Sequence, residues 1–146
     1  MRYLVTGGCG FIGSNLVRYI LANRPDADVR ILDKLTYAGS LENLGEAKDD
    51  PRVEFVRGDV CDTISTQSAA EDCDVIIHMA AESHVDRSIF GAEKAIQTNF
   101  EGTFRMLEAA RHAEVDAFLY TSTDEVYGAA EDASFSEEDP LMARNP

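Results

Sequence analysis

Three residues with acid–base side chains stand together late in the chain. Thr123, Asp124 and Glu125 lie in the run TSTDEVYG, residues 121–128, just after the short apolar stretch 117–120. A hydroxyl beside two carboxyls is the material of general acid and general base work. Adjacent side chains on an extended strand point to opposite faces. Asp124 and Glu125 can therefore serve one site only if the strand is already ending or turning there. The bland alternative for an Asp-Glu pair after a strand is a turn or a helix cap.

A second group of residues points to a phosphate. Gly7, Gly10 and Gly13 in TGGCGFIG are spaced G-x-x-G-x-x-G, and Gly8, Gly10 and Gly13 also fit G-x-G-x-x-G. Glycines there permit a tight turn, close approach of backbone to a pyrophosphate, and close packing of helix on strand. The helix start adds free N–H groups and a partial positive charge. Alone, the triplet is a weak signal. It gains weight because Asp33 closes the next strand-like run, 20 residues past Gly13. From that position a carboxylate accepts hydrogen bonds from the 2′- and 3′-hydroxyls of a ribose. It also repels a 2′-phosphate, so the pattern favours NAD over NADP, with Lys34 a minor counterweight. Cys9, inside the turn, is either a thiol activated by the helix N-terminus or a small residue filling space.

Those groups need elements to hold them. Strand-like runs at 3–6, 29–33, 53–57, 74–78 and 117–121 alternate with helical spacing at 11 to about 23, near 65–71, and from about 92 to 113. The spacing predicts an apolar face of Ile12, Leu16, Tyr19 and Ile20 on the first helix. On the long helix it predicts one of Ile96, Phe100, Phe104, Leu107 and Ala110. Strands rich in Val, Ile and Leu, separated by helices, predict an α/β fold: a Rossmann-like doubly wound parallel sheet with helices on both faces, in order 3-2-1-4-5. Ligands bind such sheets at the carboxyl ends of the strands, where strands 1 and 4 part. The loops leaving all five strands converge there. After Gly128 the chain turns acidic and irregular, with Glu131, Asp132, Glu137, Glu138 and Asp139, and is expected to be a solvated loop.

Composition narrows the partners. The chain has 146 residues, 45% hydrophobic, with 13 Lys and Arg against 27 Asp and Glu for a formal net charge of −14. That suits one domain with a real core, and it repels nucleic acid and anionic membrane. The acidity fits either an ordinary soluble surface or adaptation to high salt. Cys9, Cys61 and Cys73 are odd in number and lack C-x-x-C spacing, so neither a metal site nor a disulfide framework is expected and a cytoplasmic location fits. No signal-peptide pattern opens the chain, and no apolar run is long enough to span a membrane.

With TGGCGFIG, the runs DKLTYAGSLENL, AAESHVDRS, TNFEGT and STDEVYG carry a resemblance. Together they resemble the extended short-chain dehydrogenase/reductases and, within them, the dTDP-glucose 4,6-dehydratases. The related epimerases have small residues where Asp124 and Glu125 stand. UDP-glucose 4,6-dehydratases share the Thr-Asp-Glu run, so the resemblance leaves dTDP or UDP open, with DKLTYAG and ESHVDRS inclining towards dTDP-glucose. It implies an NAD-dependent lyase of nucleotide-sugar metabolism and deoxysugar biosynthesis. C4 of the sugar is oxidised, water is eliminated across C5 and C6, and hydride returns to C6. The ketone acidifies the C5 proton, and elimination then needs one ionised and one protonated carboxyl, a difference that crowding can supply. By resemblance Asp124 is the acid, Glu125 the base, and Thr123 the hydroxyl on sugar O4.

The same resemblance assigns NAD contacts to Gly7, Gly10, Phe11, Ile12 and Gly13 in the glycine turn, and to Asp33, Lys34, Leu35 and Thr36 after strand 2. Asp59 and Val60 follow strand 3; Met79, Ala80, Ala81, Glu82 and Ser83 follow strand 4; Thr98 lies on the long helix. Ser83 and His84 border the sugar. Val60 and Met79 are alternatively plain packing, His84 and especially His78 structural histidines, and His112 a surface residue. Asn99 and Gly102 are expected to tie the helix to the sheet. The complete enzymes carry a Tyr-x-x-x-Lys pair and form homodimers through two helices, for one of which the 92–113 helix is a candidate. None of the tyrosines here has lysine four residues on. Residues 1–146 are therefore expected to be an incomplete NAD-binding Rossmann domain, without the last strands or a substrate domain, and inactive alone.

Overall fold

The computed structural model describes residues 1–84, 89, 91–129 and 134–144. Five strands form one parallel sheet: β1 (Arg2–Thr6), β2 (Asp28–Asp33), β3 (Val53–Arg57), β4 (Val75–His78) and β5 (Ala117–Tyr120), in the expected order β3-β2-β1-β4-β5. Successive residues of the central strands point into different layers. Leu4, Leu32 and Ile76 pack with Ala69, Met106 and Ala109 on one face, while Val5, Val29 and Ile31 pack with Val17, Ile20 and Leu44 on the other. Covering helices on both faces keep all of this apolar surface from water.

Helix α1 (Phe11–Asn23) lies on the second face, α2 (Thr63–Ala70) on the first. Asp62 starts α2 as a side-chain cap, accepting from Ser65 N at 2.7 Å. At the other end, Arg30 donates to the carbonyls of Ala69 at 3.0 Å and Glu71 at 2.6 Å. Two short 3₁₀ turns over Leu41–Asp49, parted by Gly45 at φ 59°, have no counterpart in the expected elements.

The predicted long helix is present as three joined pieces. α3 (Ala92–Ala95) runs through a π-helical segment (Ile96–Gly102) into α4 (Thr103–Ala113). Its expected apolar face is a correction: Ala110 is buried, but Ile96, Phe100, Phe104 and Leu107 face solvent, Phe100 being 76% exposed. Ala95, Gly102, Met106 and Ala109 are buried instead. A Cβ at Gly102 would sit 2.7 Å from Val60 Cγ2, so the helix approaches too closely for a large side chain. On α1 the expected face holds in part: Ile20 is buried and Leu16 packs against the core, but Ile12 and Tyr19 are exposed, and Gly13, Ser14, Val17 and Leu21 are buried with Ile20. Residues 134–144 form no regular element and are mostly exposed, as expected of a solvated loop; Glu131 and Asp132 lie outside the described residues.

Candidate functional site

The carboxyl edge of the sheet gathers the glycine turn. Gly7 adopts φ +68°, and a Cβ there would lie 2.9 Å from Ala80 N and Cα, so the turn is pressed against the loop that leaves β4. A Cβ on Gly13 would lie 2.2 Å from Gly7 O, which requires glycine for the helix to start this close. Gly10 differs: a Cβ would meet only Gly7 O, at 3.3 Å, so its other side is open. Gly10 caps α1 without a side chain, and the first turn carries no acidic residue. First-turn N–H groups have no intrahelical acceptor, so this turn retains donors and a partial positive charge for an anion. Close packing at Gly7 and Gly13 with open backbone at Gly10 suits a pyrophosphate. Phe11 and Ile12 stand exposed beside it. Cys9 is fully buried, and burial, with Asp33 adding to it, pushes its thiol up to about 12. It fills the turn and is not an activated thiol.

Asp33 joins two loops. Its Oδ2 accepts from Cys9 N at 2.9 Å and its Oδ1 from Leu35 N at 2.8 Å. A carboxylate offers about four acceptor positions, which leaves room for two hydroxyls. Leu35 holds φ 56°, a left-handed backbone that the sequence does not signal for a leucine. Lys34 is paired with Asp59, whose Oδ1 also accepts from Cys61 N at 3.0 Å. Burial raises the Asp59 carboxyl, but these two bonds outweigh it and hold its pKa below the usual range. Thr36 is exposed, and Tyr37 reaches across to donate to Glu82 Oε1 at 2.6 Å.

The β4 loop completes the edge. Met79 and Ala80 are half-buried, Glu82 likewise, and Ala81, Ser83 and His84 are exposed. Asn99 clamps this loop, accepting from Glu82 N at 2.8 Å and donating to Glu82 O at 3.0 Å. Thr98, beside it on the π-helical segment, is half-buried. Val60 is a core side chain against Gly102, leaving its backbone to offer a ligand. Residues 85–88, the rest of the ESHVDRS run, lie outside the described residues.

Next to this loop the strand does end where Thr123, Asp124 and Glu125 require it to. β5 stops at Tyr120, Thr121 N still donates to His78 O at 3.1 Å, and Asp124–Tyr127 form a 3₁₀ turn. Thr123 caps that turn, its Oγ1 accepting from Glu125 N at 3.2 Å and donating to Asp124 Oδ1 at 3.3 Å. Neighbouring side chains on such a turn diverge by ~120° rather than ~180°, and both carboxylates are exposed. His112 is exposed in the last turn of α4.

Missed in the sequence is a hydrogen-bonded line beneath this edge. Thr6 Oγ1 lies 2.7 Å from His78 Nδ1, and Thr103 Oγ1 3.1 Å from its Nε2. Only His78, at the end of an apolar strand, hinted at it.

Comparison with known proteins agrees with this geometry. The GDP-mannose 4,6 dehydratase family model matches residues 4–146. The low-salt glycan biosynthesis protein Agl12 of Haloferax volcanii is 55% identical over 146 residues, all of this chain and 47% of the relative. The dTDP-glucose 4,6-dehydratase of Neisseria meningitidis is 48% identical over 99% of this chain and 44% of its own. The chain thus spans about half the length of the curated relatives it matches. Among solved structures, the dTDP-glucose 4,6-dehydratase DesIV of Streptomyces venezuelae, with NAD bound, superposes with a TM-score of 0.94 at 46% identity, over 99% of this chain and 46% of that one. The NAD complex of the Thermus thermophilus UDP-glucose 4-epimerase gives 0.86 at 31%, over 99% and 45%. A five-stranded parallel sheet with a glycine turn at its carboxyl edge, and a family model matching all but the first three residues, place this chain in the GDP-mannose 4,6 dehydratase family.

Proposed function

We propose that this chain is the NAD-binding part of a dTDP-glucose 4,6-dehydratase. The observation that carries the reading is the capped turn at Thr123–Glu125, which follows the end of β5 and carries both carboxylates exposed. The related epimerases have small residues there, so the pair favours a lyase over an epimerase. Bound at the glycine turn and Asp33, NAD would supply hydride acceptance from C4 and hydride return to C6. Thr123 holds O4 of the sugar. Glu125 takes the C5 proton, Asp124 protonates the departing C6 hydroxyl, and Ser83 and His84 line the sugar's approach. UDP-glucose is the alternative substrate, because the Thr-Asp-Glu run does not read the base.

The alternative reading is a non-catalytic NAD-binding module. No tyrosine among these residues has lysine four positions on, and Tyr127, nearest to the carboxylates, is stacked on Phe135 at 5.4 Å. The first reading therefore assigns the O4 proton acceptor to residues past Pro146, with the substrate domain. The exposed stripe Ile96, Phe100, Phe104 and Leu107 supports pairing with a second copy as a homodimer, and three free thiols suit a reducing cytoplasm.

Calorimetric titration with NAD+, with and without dTDP-glucose, tests the binding. The chemistry is tested in a form extended past Pro146 until it carries the tyrosine and lysine. There Glu125→Gln should block loss of water while NADH absorbance builds up in a single turnover. Release of the 4-keto-6-deoxy sugar at the parent rate would remove Glu125 from the role of base.

A further inference from the structure

Thr103 Oγ1 donates to Asn99 O at 2.7 Å, and a hydroxyl has one proton to give. Towards His78 Nε2, 3.1 Å away, Thr103 can then only accept, so Nε2 carries the ring proton. Nδ1 is left as an acceptor, and Thr6, 2.7 Å away, donates to it. Both lone pairs of Thr6 Oγ1 are then taken by the N–H groups of Met79 and Ala80, each at 3.1 Å. The reverse direction fails. It would bring three donors to Thr6, strand its own proton, and take the Thr103 hydroxyl proton away from Asn99 O.

We propose that His78 is a positioning residue, a neutral Nε2–H imidazole that locks the glycine turn, the β4 loop and the π-helical segment into one rigid cradle. Each end of the line reaches the site. Thr6 immediately precedes Gly7, which abuts Ala80, while Thr103 leads through Asn99 to Glu82. The ring is fully buried, with Phe118 and Tyr120 against it at centroid distances of 6.1 and 5.6 Å. Burial holds its pKa down at about 4, so the ring stays neutral around pH 7. A charged ring would also have to donate from both nitrogens and break the line at Thr6.

The consequence for NAD+ rests on the cofactor reading above; the proton arrangement does not. Nitrogen-15 spectra of the histidine rings between pH 6 and 8 should show His78 with Nδ1 bare, Nε2 protonated and no titration. An Nδ1–H ring, or a charged one, would overturn the proposal. Hydrogen exchange then reads the lock without any ligand. In His78→Phe, which keeps an aromatic ring but cuts both bonds, the Met79 and Ala80 amides should exchange at least tenfold faster. NAD+ affinity should fall by roughly tenfold or more, because buried groups lose their partners. His78→Gln, whose amide can accept from Thr6 and donate to Thr103, should recover much of both. If His78→Phe does not fold, Thr103→Val takes its place, with the same expectations for Met79 and Ala80. Unchanged exchange in the folded variant, or equal losses in the Phe and Gln variants, would reduce His78 to packing. A parent chain that binds no NAD+ would sink the cofactor reading, leaving spectra and exchange to decide this one.

Discussion

Replacing Asp33 by arginine separates the ribose reading from a purely structural one. The carboxylate holds Cys9 N at 2.9 Å and Leu35 N at 2.8 Å, so its loss affects the fold as well as any ligand. Leaving a buried donor unpaired costs about 1–3 kcal/mol. At least one of these two amides would retain water, because the Leu35 loop is only half-buried. A stability loss of about 1–3 kcal/mol is therefore expected, read as a shift in the urea midpoint. Ribose adds a second, independent loss. Two hydroxyls donating to a charged acceptor are worth about 1.5–3 kcal/mol each, which amounts to roughly 100-fold or more in NAD+ affinity. Arginine there would attract a 2′-phosphate, so NADP+ should weaken less than NAD+ or bind better. Titration calorimetry with both cofactors, at a temperature where the variant is fully folded, measures the two affinities. An NAD+ affinity equal to the parent's would refute the ribose assignment and leave Asp33 a loop fastener.

Arg30→Met should destabilise the fold by about 1–3 kcal/mol, since the guanidinium caps the carbonyl end of α2 and pairs with Glu54 at 2.8 Å with only 11% of its side chain exposed. A urea midpoint within error of the parent would contradict that capping role. Stability should also fall on acidification before the carboxylates titrate. His78 has a folded pKa of about 4 against an ordinary 6.5, so below pH 6.5 the unfolded chain takes up a proton that the folded one refuses. The loss grows to about 3 kcal/mol by pH 4. His78→Phe should flatten this part of the profile, and an equally steep slope in that variant would place the titrating group elsewhere. Below pH 4 a further loss is expected from Asp59, whose depressed folded pKa makes its contribution vanish as pH falls through it.

Much of the site was legible because its signals are local. Glycine spacing, the Asp33 offset and the alternation of strands with helices need no long-range information. They led to the sheet order and to the loops that now lie together. The strand ending before Asp124 was legible from chemistry, since two neighbouring carboxylates cannot share a face of an extended chain. What escaped has no local pattern. The 3₁₀ turns of Leu41–Asp49 bury only Leu44 and Ala47, too few to show a period. The left-handed Leu35 is imposed by its loop, which folds back so that Leu35 N reaches Asp33 Oδ1. The line from Thr6 to Thr103 joins residues 72 and 25 positions apart through one ring.

The two misplaced helix faces share one physical cause. Periodicity reports that a helix has an apolar stripe, but not what the stripe meets. On each helix a glycine makes a close approach to a loop instead: Gly13 to Gly7 O and Gly102 to Val60 Cγ2. At those two points a larger side chain is excluded, while Ile20, Leu21 and Met106 enter the core elsewhere along the helices. Ile12 and Tyr19 stand out from α1, and Ile96, Phe100, Phe104 and Leu107 from the long helix. The outward stripe of the long helix holds two phenylalanines and two branched aliphatics, more apolar surface than an isolated helix ordinarily leaves in water. Its sequence signal was therefore genuine but belonged to a different contact, which the proposed reading assigns to a second copy. Replacing Phe100 and Phe104 by serine should leave the core and the His78 line intact, since neither side chain enters them. It should abolish pairing, with sedimentation changing from dimer to monomer at an unchanged urea midpoint per chain. A parent that sediments as a monomer at every concentration would show that this stripe has some other partner.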